Sequence, residues 1–171
     1  MTTSRMTAKA LAQLAYDELA IKRTTAKVAH AQDDLDLDLY LSCFTEQVQL
    51  EKAVMIEGWK GGEISARDLA LKSFEHLSCY DAVHHMVFNH IIDIDGDSAT
   101  CVADLNAVSV FVENDKPLSC TIGGRYFLRL KRLRNSWLIC ERSITQRYIH
   151  GDQSILGKAT ARGPVREFSR S

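Results

Sequence analysis

Apolar residues in the first part of the chain recur at helical spacing: Leu11, Leu14, Ile21 and Val28 fall on one stripe between Thr7 and about Gln32. Charged Lys9, Asp17, Lys22 and Lys27 occupy the rest of that helix's circumference. An acidic run, Asp33-Asp-Leu-Asp36, closes it. Asp33 or Asp34 is placed to cap a second, short helix near 36–44 that carries Leu37, Leu41 and Phe44. Val48–Glu57 then reads as a strand or hairpin leading into a turn at Gly58–Gly62. Ile64–His76 is helical again, with Ser65 at the N-cap and Leu69, Leu71 and Phe74 on its apolar side.

From Tyr80 the period changes. Four long segments, roughly 80–95, 97–114, 117–132 and 136–149, have strand character. Asp95-Gly96-Asp97, Asn114-Asp115-Lys116-Pro117 and Arg134-Asn135-Ser136 are the turn signals between them. Long strands joined by short turns make an antiparallel meander, and helices followed by a sheet define an α+β class. The expected organisation is one domain over residues 1–151 and a C-terminal tail over 152–171. In that tail Lys158, Arg162, Arg166 and Arg170 punctuate a segment containing Gly157, Gly163 and Pro164. A frayed, solvated tail is the expectation; the alternative has Ile155, Leu156 or Phe168 folding over a pocket mouth.

The length of 171 residues suits a single core, and 46% hydrophobic with 25% charged residues is an ordinary globular composition. A net charge of −1 gives no electrostatic reason to expect nucleic acid or an anionic membrane as partner. No apolar run approaches the ~18–20 residues of a membrane span. Met1–Thr7 lacks the apolar core of a signal peptide, so a cytoplasmic location is expected. Cys43, Cys79, Cys101, Cys120 and Cys140 are odd in number, scattered, and form no CxxC pair. They read as buried thiols rather than as a zinc or redox site.

The residues suited to chemistry are few. Arg142 sits among apolar residues on the last predicted strand, where alternation gives it Cys140 and Ile144 as same-face neighbours. It needs a partner there: either an ion pair with an acid such as Asp104, or negative charge developing on a bound molecule. Arg125, Arg129 and Lys131 form a solvated face opposite Tyr126, Leu128 and Leu130. His84 and His85 are adjacent, so a regular strand points them to opposite sides and at most one serves a given pocket. His76 and His90 read as packing or surface residues. His84, His85 and His90 cannot converge on a metal from one regular strand. Asp33, Asp34, Asp36 and Asp38 are, by default, helix caps and solvated charges.

Taken together, these pieces resemble the SnoaL-like families of the nuclear transport factor 2-like superfamily, a cone-shaped α+β fold. The resemblance runs from about Leu11 to Tyr148. It rests on the long helix entering Asp33-Asp-Leu-Asp36 and Ser42-Cys-Phe44, on His85-Met-Val-Phe-Asn89 before Asp95-Gly-Asp97, and on Gly123-Gly-Arg-Tyr126 before Trp137-Leu-Ile-Cys-Glu-Arg142. It implies a strongly bent antiparallel sheet that, with three helices from the N-terminal half, encloses a pocket. Catalytic members of this kind, such as hexachlorocyclohexane dehydrochlorinase, scytalone dehydratase and bile-acid dehydratase, use an aspartate-oriented histidine to remove a proton during an elimination. By position, Asp33 matches the family aspartate, His85 the histidine and Arg142 the dehydrochlorinase arginine, with His84 as the fallback base if a bulge shifts the register. Val28, Asn106, Tyr126 and His84 are the expected substrate contacts. Val28 departs from the pattern, since relatives often carry tyrosine or lysine there.

The resulting expectation is a cofactor-free lyase acting on an apolar small molecule, cyclic ones included. An isomerase or polyketide-cyclase-type enzyme is the nearest alternative; a ligand-binding module or small oxygenase subunit is the non-catalytic one. The long strands leave a sheet face to cover, so a homodimer or homotrimer is expected.

Overall fold

A computed structural model describes residues 6–51 and 60–170. The elements run α1 (Ala8–Asp34), α2 (Leu37–Leu41), β1 (Phe44–Leu50), β2 (Gly62–Ser65), α3 (Ala66–Leu77), β3 (Ala82–Asp95), β4 (Ser98–Glu113), β5 (Lys116–Leu133), β6 (Ser136–Gly151) and α4 (Ser154–Arg162). The part of the expected 48–57 strand beyond Glu51, and the start of the turn at Gly58, lie outside the described residues. The six strands form one curved, unclosed sheet in the order β2-β1-β6-β5-β4-β3. β3 to β6 are the expected antiparallel meander; β1 adds to it parallel to β6.

Local chemistry sets the helix ends. The Thr7 hydroxyl accepts from the Ala10 N–H at 3.2 Å, and α1 stops where Leu35 turns left-handed at φ 56°. Asp36, rather than Asp33 or Asp34, caps α2, accepting from the Leu39 N–H at 2.9 Å. That cap leaves Asp33 available for another role. Ser65 caps α3 as expected, accepting from the Asp68 N–H at 3.0 Å.

The core lies between the concave sheet face and the helices, with Tyr40, Phe74, Leu130 and Trp137 buried at its centre. Asp17 does not belong to the solvated side of α1. It is buried, accepting from Trp137 Nε1 at 3.0 Å and from Arg132 at 2.5 and 2.8 Å. Those bonds fasten α1 across the β5–β6 turn and hold the Asp17 carboxyl down at about 2, Arg132 foremost, against its burial. Leu11, at the outer end of the predicted stripe, is exposed, because α1 begins beyond the sheet's cover.

The tail does not fray. α4 packs Ile155 and Ala159 against Tyr80, Phe111 and Cys120, and the Val165 and Arg166 N–H groups both donate to the Ser78 carbonyl. Phe168 meets Phe74 edge-on at 5.6 Å, and Arg166 donates to the Asp33 carbonyl. Among the described residues there are therefore four helices, one of them C-terminal. All five cysteines are free, and Cys43, Cys79, Cys101 and Cys120 are buried. Among the described residues no helix is long and apolar enough to cross a membrane.

Two irregularities decide which side chains face inward. On β3, Val83, His85 and Val87 share the concave side; Asn89, at φ 54°, then inserts a bulge, so that His90, Ile92 and Ile94 follow on that same side. On β6, Leu130 opposes Ile139 but Arg129 opposes Glu141, which makes Cys140 the extra residue. Trp137 and Ile139 point in before this bulge and Arg142 points in after it. The alternation that grouped Arg142 with Cys140 is broken there.

Candidate active site

α1 presents Thr25, Val28, Ala29 and Gln32 along one stripe, positions related by three, four and seven residues. This stripe closes a small cavity over Phe44 of β1, Val87 of β3, Tyr126 and Leu128 of β5, and Ile139 and Arg142 of β6. The enclosed space is about 10 Å³, near the ~10–15 Å³ one water requires.

His85 stands one inward position before the cavity-lining Val87, about 6.6 Å along the strand, and is not itself among the residues that line the cavity. Its side chain is 8% exposed, and its Nδ1 lies 2.6 Å from Asp33 Oδ1. Because β3 is the sheet's edge strand, its outer backbone groups have no neighbouring strand. Asp33, at the end of α1, takes that place: both its oxygens accept the His85 backbone N–H at 3.0 Å. The carboxylate thus fixes the ring and the strand that carries it. With Nδ1 donating to Asp33, Nε2 is the nitrogen left to accept a proton.

His84 points the other way and is 67% exposed, although its Nδ1 comes within 3.3 Å of Asp33 Oδ2. It does not line the cavity. Asn106 does not either: it follows inward Leu105 on β4, so alternation puts it on the convex face, where it accepts from the Tyr148 hydroxyl at 2.9 Å. Tyr148 lies across Gly123, where an added Cβ would come within 1.9 Å of its ring. Val28 and Tyr126 do line the cavity.

Arg142 is 3% exposed and has no carboxylate partner among the described residues. Asp104 pairs instead with Arg125 at 2.9 Å on the other face, so the structural ion pair considered for Arg142 does not form. Arg142 donates to the Tyr40 hydroxyl at 3.1 Å and to the Tyr126 hydroxyl at 3.0 Å. Burial opposes its charge, and the two phenols outweigh that and hold its pKa above the ordinary arginine value. A buried cation held, among the described residues, by two phenol hydroxyls has capacity left for negative charge in the cavity.

Four residues outside the sequence-derived site set, Tyr40, Gln32, Thr25 and His90, complete the region. Tyr40 anchors Arg142. Gln32 is 1% exposed, and its Nε2 has no hydrogen-bond partner among the described residues, a cost of ~1–3 kcal/mol for a buried amide. His90 Nε2 lies 2.8 Å from Thr25 Oγ1. Since that hydroxyl gives its proton to the Lys22 carbonyl at 2.8 Å, His90 Nε2 carries the hydrogen. The sequence signal for Gln32 and Thr25 was their place on the Val28 stripe, polar residues on an apolar face.

A bent sheet and a long helix closing its concave side over a small cavity define a cone-shaped α+β protein, with a histidine–aspartate pair where the end of that helix meets the edge strand. The chain belongs to the SnoaL-like domain family, whose profile matches residues 13–143. Among solved structures it is similar to the Kfla4162 protein of Kribbella flavida, at 20% identity, TM-score 0.73, covering 83% of this chain and 97% of that one. It is also similar to hexachlorocyclohexane dehydrochlorinase LinA-type3 of Novosphingobium barchaimii, at 16% identity, TM-score 0.65, covering 84% and 94%. A third is a candidate scytalone dehydratase from Novosphingobium aromaticivorans, at 16% identity, TM-score 0.66, covering 80% and 88%. At these identities the likeness is one of fold. Comparison with curated protein sequences returned no match.

Proposed function

We propose that the protein is a lyase that removes a carbon-bound proton from an apolar small molecule and expels a leaving group, with His85 as the base. The observation that carries this reading is the 2.6 Å contact between His85 Nδ1 and Asp33, which follows cavity-lining Gln32 on the helix that closes a largely apolar cavity. Asp33 selects the tautomer and favours the imidazolium formed when Nε2 takes the proton. Proton transfer by such a pair contributes ~10²–10⁴ in rate and requires no cofactor for that step. Arg142 offsets the negative charge that develops on the substrate. Val28, Tyr126 and the apolar wall hold the body of the molecule. An isomerase would use the same base and return the proton to a different carbon.

Two of the structurally similar proteins are described as a hexachlorocyclohexane dehydrochlorinase and a candidate scytalone dehydratase, and both names denote eliminations. Those compounds are the first substrates to assay, by chloride release and by loss of water. Turnover of either that disappears in His85→Ala and Asp33→Asn supports the reading. Turnover retained in His85→Ala refutes His85 as the base.

A further inference from the structure

We propose that Gln32 contacts the substrate directly, its side-chain amide donating to an acceptor oxygen, and that the substrate is therefore a carbonyl compound. This deepens the elimination reading and rests on it for the chemical step. Gln32 is 1% exposed and lines the cavity, and its Nε2 is unpaired among the described residues. Buried polar groups are almost always paired, so an unpaired donor at a cavity wall marks a place for a ligand atom. Arg142 and Tyr126 line the same cavity, the Tyr126 hydroxyl accepting from the Arg142 guanidinium at 3.0 Å and keeping its own proton to give. Gln32 comes from the helix and the other two from the sheet, so these residues line the cavity from opposite walls. The rest of the wall, Val28, Phe44 and Leu128 among it, is hydrocarbon. The complementary ligand is a hydrocarbon body bearing one strongly accepting oxygen.

A carbonyl meets both demands of the site. Its oxygen accepts from an amide N–H far better than a carbon-bound halogen does, and it acidifies the adjacent C–H enough for an imidazole to act. His85 Nε2 takes that proton, and the C–H electron pair becomes the C=C of an enolate whose oxygen carries the charge against Gln32 and Tyr126. A β-hydroxyl then leaves with its bonding pair and takes the proton from the imidazolium as water. The enolate collapses to C=O with a new conjugated C=C, and His85 returns to its neutral form.

Cyclohexanone and methylenecyclohexane test the assignment, because they share a shape and differ only in =O against =CH₂. Gln32→Leu and Gln32→Met keep the volume and remove the amide. We expect cyclohexanone to shift the ¹⁵N-labelled Gln32 side-chain amide signal and to bind each variant about tenfold more weakly than the wild type, the worth of one such bond. Methylenecyclohexane affinity should hold, and the variants' thermal midpoints should equal or exceed the wild type's, because an unpaired buried donor has gone. Unchanged cyclohexanone affinity in both variants, or no saturable cyclohexanone binding by the wild type, overturns the proposal. So does a drop in thermal midpoint with the affinity ratio intact, the mark of a packing amide. None of these measurements uses turnover, and His85→Ala should leave the affinity ratio unchanged, so failure of the dyad and failure of the Gln32 assignment are told apart.

Discussion

Asp33 grips His85 at two places at once, through the ring Nδ1 at 2.6 Å and through the backbone N–H at 3.0 Å. The backbone bond holds the edge strand against the end of α1, so the ring cannot drift from its orienting acid without the strand moving too. Asp33→Asn keeps an acceptor for the backbone but loses the carboxylate, so rate should fall by ~10²–10⁴ with little loss of stability. His85→Ala should fall as far. Steady-state rates paired with thermal unfolding of the same preparations check both.

Arg142 should show the same separation of stability from function. Arg142→Met removes a buried charge that, among the described residues, the Tyr40 and Tyr126 hydroxyls hold. Substituting a hydrophobe of similar volume for buried charge is often neutral or stabilising, whereas loss of a charge-stabilising donor costs ~10²–10³ in kcat. A variant that unfolds more readily than the wild type in urea would show that the guanidinium holds the sheet together.

Acid stability should depend on Asp17. Its folded pKa of about 2 lies below the ordinary 3.8, set first by Arg132. The stabilisation is complete above about pH 3.8 and is lost as pH falls toward 2, roughly 2 kcal/mol in all. Asp17→Asn should flatten the acid limb of a urea-midpoint profile across that window, and should cost stability at neutral pH because Arg132 loses its charged partner and one of the two oxygens it bonds.

His90 should stay neutral to lower pH than a free imidazole. Burial, and then Lys22, lower its pKa from 6.5. Because the unfolded chain binds that proton more readily, the contribution of His90 is intact above pH 6.5 and declines as pH drops below it. ¹⁵N spectra of the imidazoles should show the Nε2–H tautomer and a midpoint under 6.5. A midpoint above 6.5 would mean that the Thr25 contact is made to the cation.

The convex face carries a row in register across three strands, Ile91 with Val102 and Phe127, in which Ile91 is 66% and Phe127 44% exposed. Phe88 is exposed beside it. Burying this row against a second copy predicts a dimer or trimer in dilute solution, and Phe127→Glu should shift it toward monomer in sedimentation or scattering. A wild-type monomer at micromolar concentration contradicts the expectation.

The element order was legible because long strands with strong turn signals, such as Asp95-Gly96 and Asn114-Asp115, leave few alternatives. Asp33 and His85 came from resemblance: periodicity could place each in its own element but could not show that the end of α1 meets the edge strand. Asn106 was expected among the substrate contacts although plain alternation from Leu105 puts it on the convex face. Cys140 and Asn89 were illegible because a bulge leaves no reliable mark in composition. The tail looked frayed because its anchors, Ile155, Ala159 and Phe168, are spaced too widely to form a periodic pattern.

The Cys140 bulge has a consequence in the parity of β6. Trp137 and Ile139 stand at odd positions and Arg142 at an even one, yet all three face inward. Residues upstream and downstream are therefore in opposite phase, and one extra amino acid reconciles them. Deleting Cys140 would remove only one half-buried thiol, but it would restore strict alternation and force a choice between the two phases. Either Trp137 leaves Asp17 or Arg142 leaves the cavity. In this strand a one-residue deletion acts as a frameshift in space, able to turn the site inside out while every side chain that forms it is still encoded.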